Sequence, residues 1–233
     1  MNTNTNKQPL AVLAQVSKIF SGTTRETFAL KNASFQAFPG ELVLLLGPSG
    51  SGKSTFLTIL AGLQAPSSGE VWLFGKEIRS YTQTGLQKLR AARIGFIFQT
   101  FHLIDALDAL ENITLVMKFT RTPAKEARTR AVQLLERFDI PYLIHSCPRT
   151  MSQGEKQRVA VARALANNAE LIIADEPTGS LATSQGMQIV SLLSEVARTE
   201  NKCVVLASHD QRIMEYADRV FFIRDGEIQL QGS

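Results

Sequence analysis

The segment from Gly47 to Thr55 has the composition and spacing of a loop that binds phosphate groups. Four residues separate Gly47 from Gly52, and Lys53 and Ser54 follow directly. Glycines let the backbone curl around an anion, so that successive N–H groups converge on phosphate oxygens. The lysine supplies charge to the β- and γ-phosphates, and the serine hydroxyl is placed to ligate Mg²⁺. We therefore predict that ATP or GTP binds here. The loop residues are Gly47, Pro48, Ser49, Gly50, Ser51, Gly52, Lys53, Ser54 and Thr55.

Two adjacent carboxylates form a second chemical feature. The apolar run Leu171–Ala174 predicts a buried strand, and it ends in Asp175 and Glu176. A strand tip would place them at the carboxyl edge of the sheet, where the phosphate loop also lies. Asp175 suits a Mg²⁺-associated carboxylate, and Glu176 is then free to act on the attacking water as a general base. The alternative interpretation is two exposed acids that merely follow a strand.

Two further polar residues follow predicted strands. His209 comes after the apolar run Cys203–Ala207, and Gln99 comes after Gly95–Phe98. A histidine at a strand tip can donate a hydrogen bond to a γ-phosphate. Taken alone, a structural histidine is the better interpretation of His209, and Gln99 is suggestive only beside the other motifs.

The pattern of elements explains how these residues could meet. Apolar and polar residues alternate between about Leu10 and Phe38, which predicts antiparallel strands. Wholly apolar strands alternating with helices then predict a parallel sheet covered on both faces. A helix-rich middle interrupts this pattern. We predict an α/β fold with a mostly parallel sheet, an N-terminal antiparallel β subdomain, and an α-helical subdomain inserted at approximately residues 100–167.

Composition limits the class of protein. The chain has 233 residues, of which 44% are hydrophobic and 20% charged, as expected for one globular domain, placed at residues 10–233. A polar tail at residues 1–9 is predicted to be disordered. The net charge is +4, but the basic residues are dispersed, and the cluster Lys88, Arg90 and Arg93 has the spacing of a solvated helix face. We therefore expect no nucleic-acid partner. Cys147 and Cys203 are interpreted as reduced thiols of a cytosolic protein.

The segment from Met151 to Leu165 resembles the signature of the ATP-binding cassette (ABC) ATPases. That signature reads Leu-Ser-Gly-Gly-Gln and precedes a basic helix, and here the sequence is Met-Ser-Gln-Gly-Glu-Lys-Gln-Arg. The resemblance covers essentially residues 12–230, with every family motif in order. It implies a P-loop NTPase fold with a RecA-like core, ATP and Mg²⁺ as cofactors, and ATP hydrolysis as the activity.

The resemblance also assigns roles to individual residues. Phe20 occupies the position of an aromatic that stacks on adenine, and a phenylalanine keeps the π-face. In the family, the signature contacts the γ-phosphate bound by a second copy, so that two chains facing head to tail enclose two ATP molecules. The signature residues are Ser152, Gln153, Gly154 and Glu155. The implied catalytic residues are Glu176, His209 and Gln99. The implied metal ligands are Ser54, Gln99 and Asp175.

Several positions depart from the family pattern. Gln153 replaces the first signature glycine and Met151 the leucine, while Ser208 replaces a threonine. The larger departure is Ala182, where the family usually has an aspartate. That carboxylate would communicate across the dimer, so its loss bears on the hydrolysis rate and on the symmetry of the two sites.

The resemblance implies the ATP-hydrolysing subunit of a membrane transporter, with the permease on a separate chain. Such a subunit lies in the cytoplasm on the inner face of the cell membrane. The stretch Phe96–Ile104 is where the family receives a short cytoplasmic helix of the permease. The segments Gly95–Ile104, Ala109–Ile113 and Ala174–Gly179 resemble the group that serves lipoprotein release and macrolide export, which favours extrusion of a substrate.

Two alternatives remain open from the sequence. One is a soluble ABC ATPase that acts on nucleic acid or ribosomes. Such proteins commonly carry two cassettes or long coiled-coil insertions, and this sequence has neither. The other, prompted by Ala182, is a nucleotide-binding module that hardly hydrolyses ATP.

Overall fold

The computed structural model describes residues 7–21 and 26–232, so the predicted tail lies mostly outside the described residues. The strands are β1 (Ala11–Ser21), β2 (Glu26–Ala37), β3 (Glu41–Leu46), β4 (Ser68–Leu73), β5 (Lys76–Glu77), β6 (Ile94–Ile97), β7 (Leu171–Asp175), β8 (Cys203–Ser208), β9 (Arg219–Arg224) and β10 (Glu227–Leu230). The α-helices are α1 (Lys53–Leu60), α2 (Gln83–Arg93), α3 (Ala109–Lys118), α4 (Ala124–Arg137), α5 (Gln153–Leu165) and α6 (Thr183–Thr199).

The first sheet is antiparallel and has the strand order β2-β1-β4-β5. Its alternating sequence places one face against the core, where Leu13, Val16, Leu30 and Phe35 are buried. The ring of Phe35 contacts Phe56 of α1 edge-on, with centroids 5.1 Å apart. The predicted N-terminal antiparallel subdomain is therefore confirmed, and it packs directly on the helix that follows the phosphate loop.

The second sheet positions the chemical groups. Its order is β10-β9-β3-β8-β7-β6, and every pair is parallel except β10 with β9. Strands β3, β8 and β7 are buried along almost their whole length because their residues are nearly all apolar. The phosphate loop follows β3, His209 follows β8, and Asp175 ends β7. Because these three strands are adjacent and parallel, their carboxyl ends bring the three features to one edge.

The helices α3, α4 and α5 lie between β6 and β7 and form what we call the helical lobe. Their buried apolar faces meet in one cluster that includes Ile113, Leu134, Phe138 and Val159. Helix α3 begins with a reciprocal cap, in which the Asp108 side chain accepts the N–H of Glu111 and the Glu111 side chain accepts the N–H of Asp108. The predicted inserted helical subdomain is confirmed.

The chain leaves the helical lobe through a short segment that is firmly bonded to the sheet domain. The Asn167 amide donates to the carbonyl of Ala91, at 2.8 Å. The buried Lys202 Nζ donates to Asn168 Oδ1 and to the Ala169 carbonyl, each at 2.8 Å. Burial lowers the pKa of Lys202, and the nearby Glu200 carboxylate opposes this effect. The exit from the lobe is thus fixed by several buried polar contacts.

Residues Gln211–Tyr216, after β8, form a 3-10 helix. One local prediction differs from the structure. Arg93, assigned to a solvated face, instead pairs with Glu170, with Nε 2.5 Å from Oε1, and its guanidinium lies 3.7 Å from the centroid of the Phe74 ring. The Glu170 carboxylate raises the pKa of Arg93 through this hydrogen bond.

Helix α6 begins without a side-chain cap, because its N-cap residue is Ala182. Aspartate at this position would accept a backbone N–H of the first turn and would interact favourably with the positive helix end. We expect Ala182→Asp to raise the free energy of unfolding by about 1 kcal/mol, measured by urea denaturation. Ala182→Asn, a neutral cap, is the matched control and should retain most of the gain. Equal stability of both variants and the unmodified protein would contradict the expectation.

Candidate functional site

Two glycines of the phosphate loop are required by close backbone contacts. A Cβ atom on Gly47 would lie 2.3 Å from the Ile223 carbonyl oxygen, and one on Gly52 would lie 2.3 Å from that of Ala29. Gly52 also has a φ of +108°, which L-residues rarely adopt. The loop therefore depends on glycine both for its path between β3 and α1 and for its packing.

The start of α1 is open to an anion. Its N-cap is Gly52, which provides no side-chain cap, and its first turn contains no acidic residue. The first N–H groups of a helix have no partner within the helix, and they carry the positive end of its dipole. A cavity of about 380 Å³ lies at this helix start. It is lined by Thr27, Phe28, Ala29, Ser49, Gly50, Gly52, Lys53, Ser54, Thr55, Gln99, Asp175, Glu176 and His209.

Lys53 is held at the base of this cavity. Its Nζ donates to the carbonyls of Gly47, at 2.8 Å, and Pro48, at 2.9 Å, and lies 3.3 Å from Glu176 Oε1. The side chain is only 6% exposed. A positive charge therefore lies beside the loop backbone, in surroundings where water screens it weakly.

Asp175 has the features of a cation ligand. Its Oδ1 is buried and has no hydrogen-bond partner. Burial raises the pKa of Asp175, and the adjacent Glu176 carboxylate adds to the increase, while the hydroxyl of Ser54 and the charge of Lys53 oppose it. A buried carboxylate oxygen without a partner, beside a hydroxyl, fits a hard divalent cation such as Mg²⁺. The residues present therefore fit the predicted metal.

Glu176 lies between two potential proton donors. Its carboxylate is 12% exposed and contacts Lys53 through Oε1 and His209 Nδ1 through Oε2, the latter at 3.0 Å. Its backbone is left-handed, with φ of 48°, and its N–H donates to the Ala207 carbonyl at 3.0 Å. The turn after β7 thus directs the carboxylate into the cavity rather than along the strand.

Gln99 also lines the cavity, and its backbone is linked to the segment that follows Glu176. The Ser180 hydroxyl donates to the Gln99 carbonyl at 3.2 Å. A Cβ atom on Gly179 would lie 2.8 Å from Gln99 Nε2. The side chains predicted to act on the metal, water and γ-phosphate therefore come together in one cavity.

Phe20, the residue predicted to stack on adenine, precedes residues 22–25, which lie outside the described part of the chain. Phe20 is 42% exposed at the end of β1, with Lys18 Nζ 5.3 Å from its ring centroid. Among described residues, Phe28 rather than Phe20 lines the cavity, and it is 48% exposed. Phe28 was not predicted from the sequence, because its exposure and its place in the cavity lining become evident only in the structure. The stacking role of Phe20 stays a prediction.

The signature residues lie in a different cavity, of about 290 Å³, which Ser152, Gly154, Glu155 and Tyr142 help to line. Helix α5 starts there with a reciprocal cap: the Glu155 N–H donates to Ser152 Oγ at 3.3 Å, and the Ser152 N–H donates to Glu155 Oε2 at 2.7 Å. The Tyr142 hydroxyl donates to Glu155 Oε1 at 2.9 Å. These hydrogen bonds, led by that from the Ser152 backbone, lower the pKa of Glu155. Gln153 is the first residue of the helix and is exposed.

Known proteins of one family are similar to this chain over most of its length. The ABC transporter family model matches residues 30–179. The ABC transporter ATP-binding protein YvrO of Bacillus subtilis (strain 168), itself uncharacterized, is 41% identical over 221 residues, which cover 95% of this chain and 96% of YvrO. The macrolide export ATP-binding/permease protein MacB of Sodalis glossinidius (strain morsitans) is 38% identical over 220 residues, which cover 94% of this chain and 34% of MacB. The chain therefore spans about a third of MacB.

A solved structure agrees over nearly the whole fold. The dimeric, post-hydrolysis structure of the ATP-binding cassette MJ0796 with ADP and Pi superimposes with a TM-score of 0.87 at 35% identity, covering 96% of this chain and 99% of that one. A phosphate loop after one strand of a parallel sheet and an aspartate with a buried Oδ1 at the end of another are typical of a P-loop NTPase. The chain belongs to the ABC transporter family and is an ATPase of that family.

No helix within residues 7–21 and 26–232 combines the length and apolar character needed to cross a bilayer.

Proposed function

We propose that this chain is the ATP-binding and ATP-hydrolysing subunit of an ABC transporter, acting as a head-to-tail pair. The main support for this proposal is that the phosphate loop and the signature helix line separate cavities of the same chain. The Ser152–Glu155 cap occupies the N–H groups of those two residues, so the start of α5 offers an anion the N–H groups of Gln153 and Gly154 and a positive dipole end. None of these residues lines the cavity beside Lys53. A second copy, facing the first, would supply that missing wall. The dimeric MJ0796 cassette with ADP and Pi supports this arrangement.

In the proposed site the protein groups divide the work of ATP hydrolysis. Lys53 and the N–H groups of the loop bind the β- and γ-phosphates. Ser54, Asp175 and Gln99 would hold Mg²⁺, which supplies charge compensation to the phosphates. Glu176 accepts a proton from the attacking water, and His209, which contacts Glu176, donates a hydrogen bond toward the γ-phosphate. Cleavage separates the γ-phosphate from ADP, and release of that phosphate removes the anion that joins the two copies, so that ATP binding closes the pair and hydrolysis followed by phosphate release opens it.

Cysteine crosslinking tests the head-to-tail pair directly. Ser49 and Gln153 are exposed, and replacing them leaves the hydroxyl of Ser152 and the backbone of Gly154 in place. In a Cys147→Ser background, we expect mixed Ser49→Cys and Gln153→Cys chains to form a disulfide-linked dimer with MgATP, scored on non-reducing gels. Each single variant alone is the matched control and should remain uncrosslinked. A mixture that never crosslinks with MgATP, with or without the permease, would overturn the pair.

The proposed partner is an integral membrane permease on a separate chain, which would place the subunit on the inner face of the membrane. A cavity of about 330 Å³ lies between the sheet domain and the helical lobe. Apolar side chains from the Phe96–Ile104 stretch and the exposed Phe119 line it, together with Arg90 and Arg163. This surface suits a short helix with apolar and acidic residues, and we infer extrusion of a substrate from the resemblance to the macrolide-export group.

The permease surface can be tested by co-purification from detergent-solubilised membranes of the source cells. We expect the tagged chain to recover an integral membrane protein, identified by mass spectrometry. Phe119→Ser should recover much less of that protein, because the Phe119 ring is 68% exposed at the cavity proposed for the permease. Trp72→Ser, an exposed aromatic on the antiparallel sheet, is the matched control and should retain recovery. Equal recovery by both variants would place the permease contact elsewhere.

A further inference from the structure

Arg163, near the end of α5, bonds the turn that follows Gln99. Its guanidinium donates from Nη1 to the His102 carbonyl, at 2.5 Å, and from Nη2 to the Phe101 carbonyl, at 2.7 Å. The two carbonyls belong to consecutive residues, so one planar group holds both peptide units. This contact joins the signature helix to the chain segment that enters the helical lobe.

The turn it holds is conformationally strained. Phe101 and His102 both have left-handed backbones, with φ of 61° and 48°, and neither is a glycine. The ring of His102 stacks on Phe98, with centroids 4.4 Å apart. Such a backbone persists only when its surroundings compensate for its cost. The paired hydrogen bonds from a charged donor provide that compensation.

Within the described ranges, no carboxylate pairs with Arg163. Burial lowers the pKa of its guanidinium. A partly buried guanidinium is costly unless its donors are satisfied, and here carbonyls rather than an acid satisfy them. Its side chain also lines the cavity proposed for the permease. Arg163 therefore lies between that surface, the signature helix and the segment that carries Gln99.

We propose that Arg163 is a positioning residue for hydrolysis: by fixing the Phe101–His102 turn, it holds Gln99 in the nucleotide cavity and ties its position to helix α5. This inference rests on the proposed role of Gln99. Arg163 would connect the cavity proposed for the permease to the γ-phosphate through the position of Gln99. Lysine keeps the charge but lacks the planar fork that reaches both carbonyls.

A double-mutant cycle on the full chain tests this role. We expect Arg163→Lys to lower kcat for MgATP hydrolysis by about tenfold, corresponding to one charge-assisted hydrogen bond, with KM changed less than about twofold. In a Gln99→Ala background the same substitution should change kcat by less than about twofold, because both act through one side chain. Arg137→Lys on helix α4 of the same lobe is the matched control: its guanidinium donates to the Glu200 carboxylate, away from Gln99 and from both cavities, and the variant should leave kcat unchanged.

A rescue variant separates positioning from loss of folding. Glycine adopts left-handed backbone angles without strain, so His102→Gly should restore at least half of the kcat lost in Arg163→Lys. Thermal unfolding of every variant monitors the fold. Equal effects of Arg163→Lys in the Gln99 and Gln99→Ala backgrounds, or no rescue by His102→Gly, would overturn the inference. Full activity of Gln99→Ala alone would overturn both the proposed role of Gln99 and this inference.

Discussion

Glu176→Gln is expected to lower steady-state ATP hydrolysis by at least about a hundredfold, the contribution of a positioned general base. The carboxylate is 12% exposed and contacts Lys53 and His209. Glutamine preserves its size and can keep hydrogen bonds to both neighbours, but it has too little basicity to accept a proton from water. Nucleotide binding should therefore survive while hydrolysis fails, and the copies should remain joined around ATP.

Two measurements separate these consequences. Phosphate release at saturating MgATP reports hydrolysis, and sedimentation velocity under the same conditions reports the assembly state, expected to be a dimer. Glu195→Gln, an exposed glutamate on α6, is the matched control and should behave as the unmodified protein. Hydrolysis within about threefold of the unmodified rate would remove Glu176 from its proposed role. A Glu176→Gln protein that remains monomeric with MgATP would contradict the proposed head-to-tail pair.

Lys53→Ala is expected to weaken MgATP binding by about tenfold to a hundredfold, because a charge-assisted hydrogen bond to phosphate is lost from a weakly screened cavity. The substitution also removes the donor to the Gly47 and Pro48 carbonyls and leaves Glu176 with one fewer partner. Both affinity and loop order should therefore decline together.

Isothermal titration calorimetry with MgATP measures the change in affinity, and circular dichroism monitors the fold. Lys76→Ala, an exposed lysine over the ring of Tyr81, is the matched control. Lys53→Arg retains the charge and should bind more tightly than Lys53→Ala if charge is the main contribution. An unchanged dissociation constant in Lys53→Ala would refute the assigned role of the loop lysine.

The parallel sheet could be predicted because its strands are apolar throughout, a pattern that arises when both faces are covered. Helix α2 was harder to recognise. It has no fully buried residue, so apolar periodicity gives it little signal, and it depends on its Thr82 cap and on contacts of Arg90 and Arg93. Contacts distant in sequence, such as Arg93 with Glu170, cannot be inferred from spacing.

The individual residues of the nucleotide cavity could be predicted from the sequence because each of them follows a strand or starts a helix. Its assembly depended on strand order, which places β8 between β3 and β7 and so brings His209 beside Glu176. Two features had no sequence signal. Phe28 faces the cavity from a strand interior, and Arg163 bonds a left-handed turn whose conformation is not evident from Phe101 and His102.

Both chain crossings of the helical lobe carry side-chain hydrogen bonds. The exit is bonded by Asn167 and by the buried Lys202, and the entry by Arg163 and by Ser180, which donates to the Gln99 carbonyl. Because both crossings are bonded, we expect the lobe to move as one rigid body rather than to deform internally. A neighbouring helix that pressed on the cavity beside Phe119 would then shift the whole lobe, and the crossing that contains Gln99 would transmit this shift to the nucleotide.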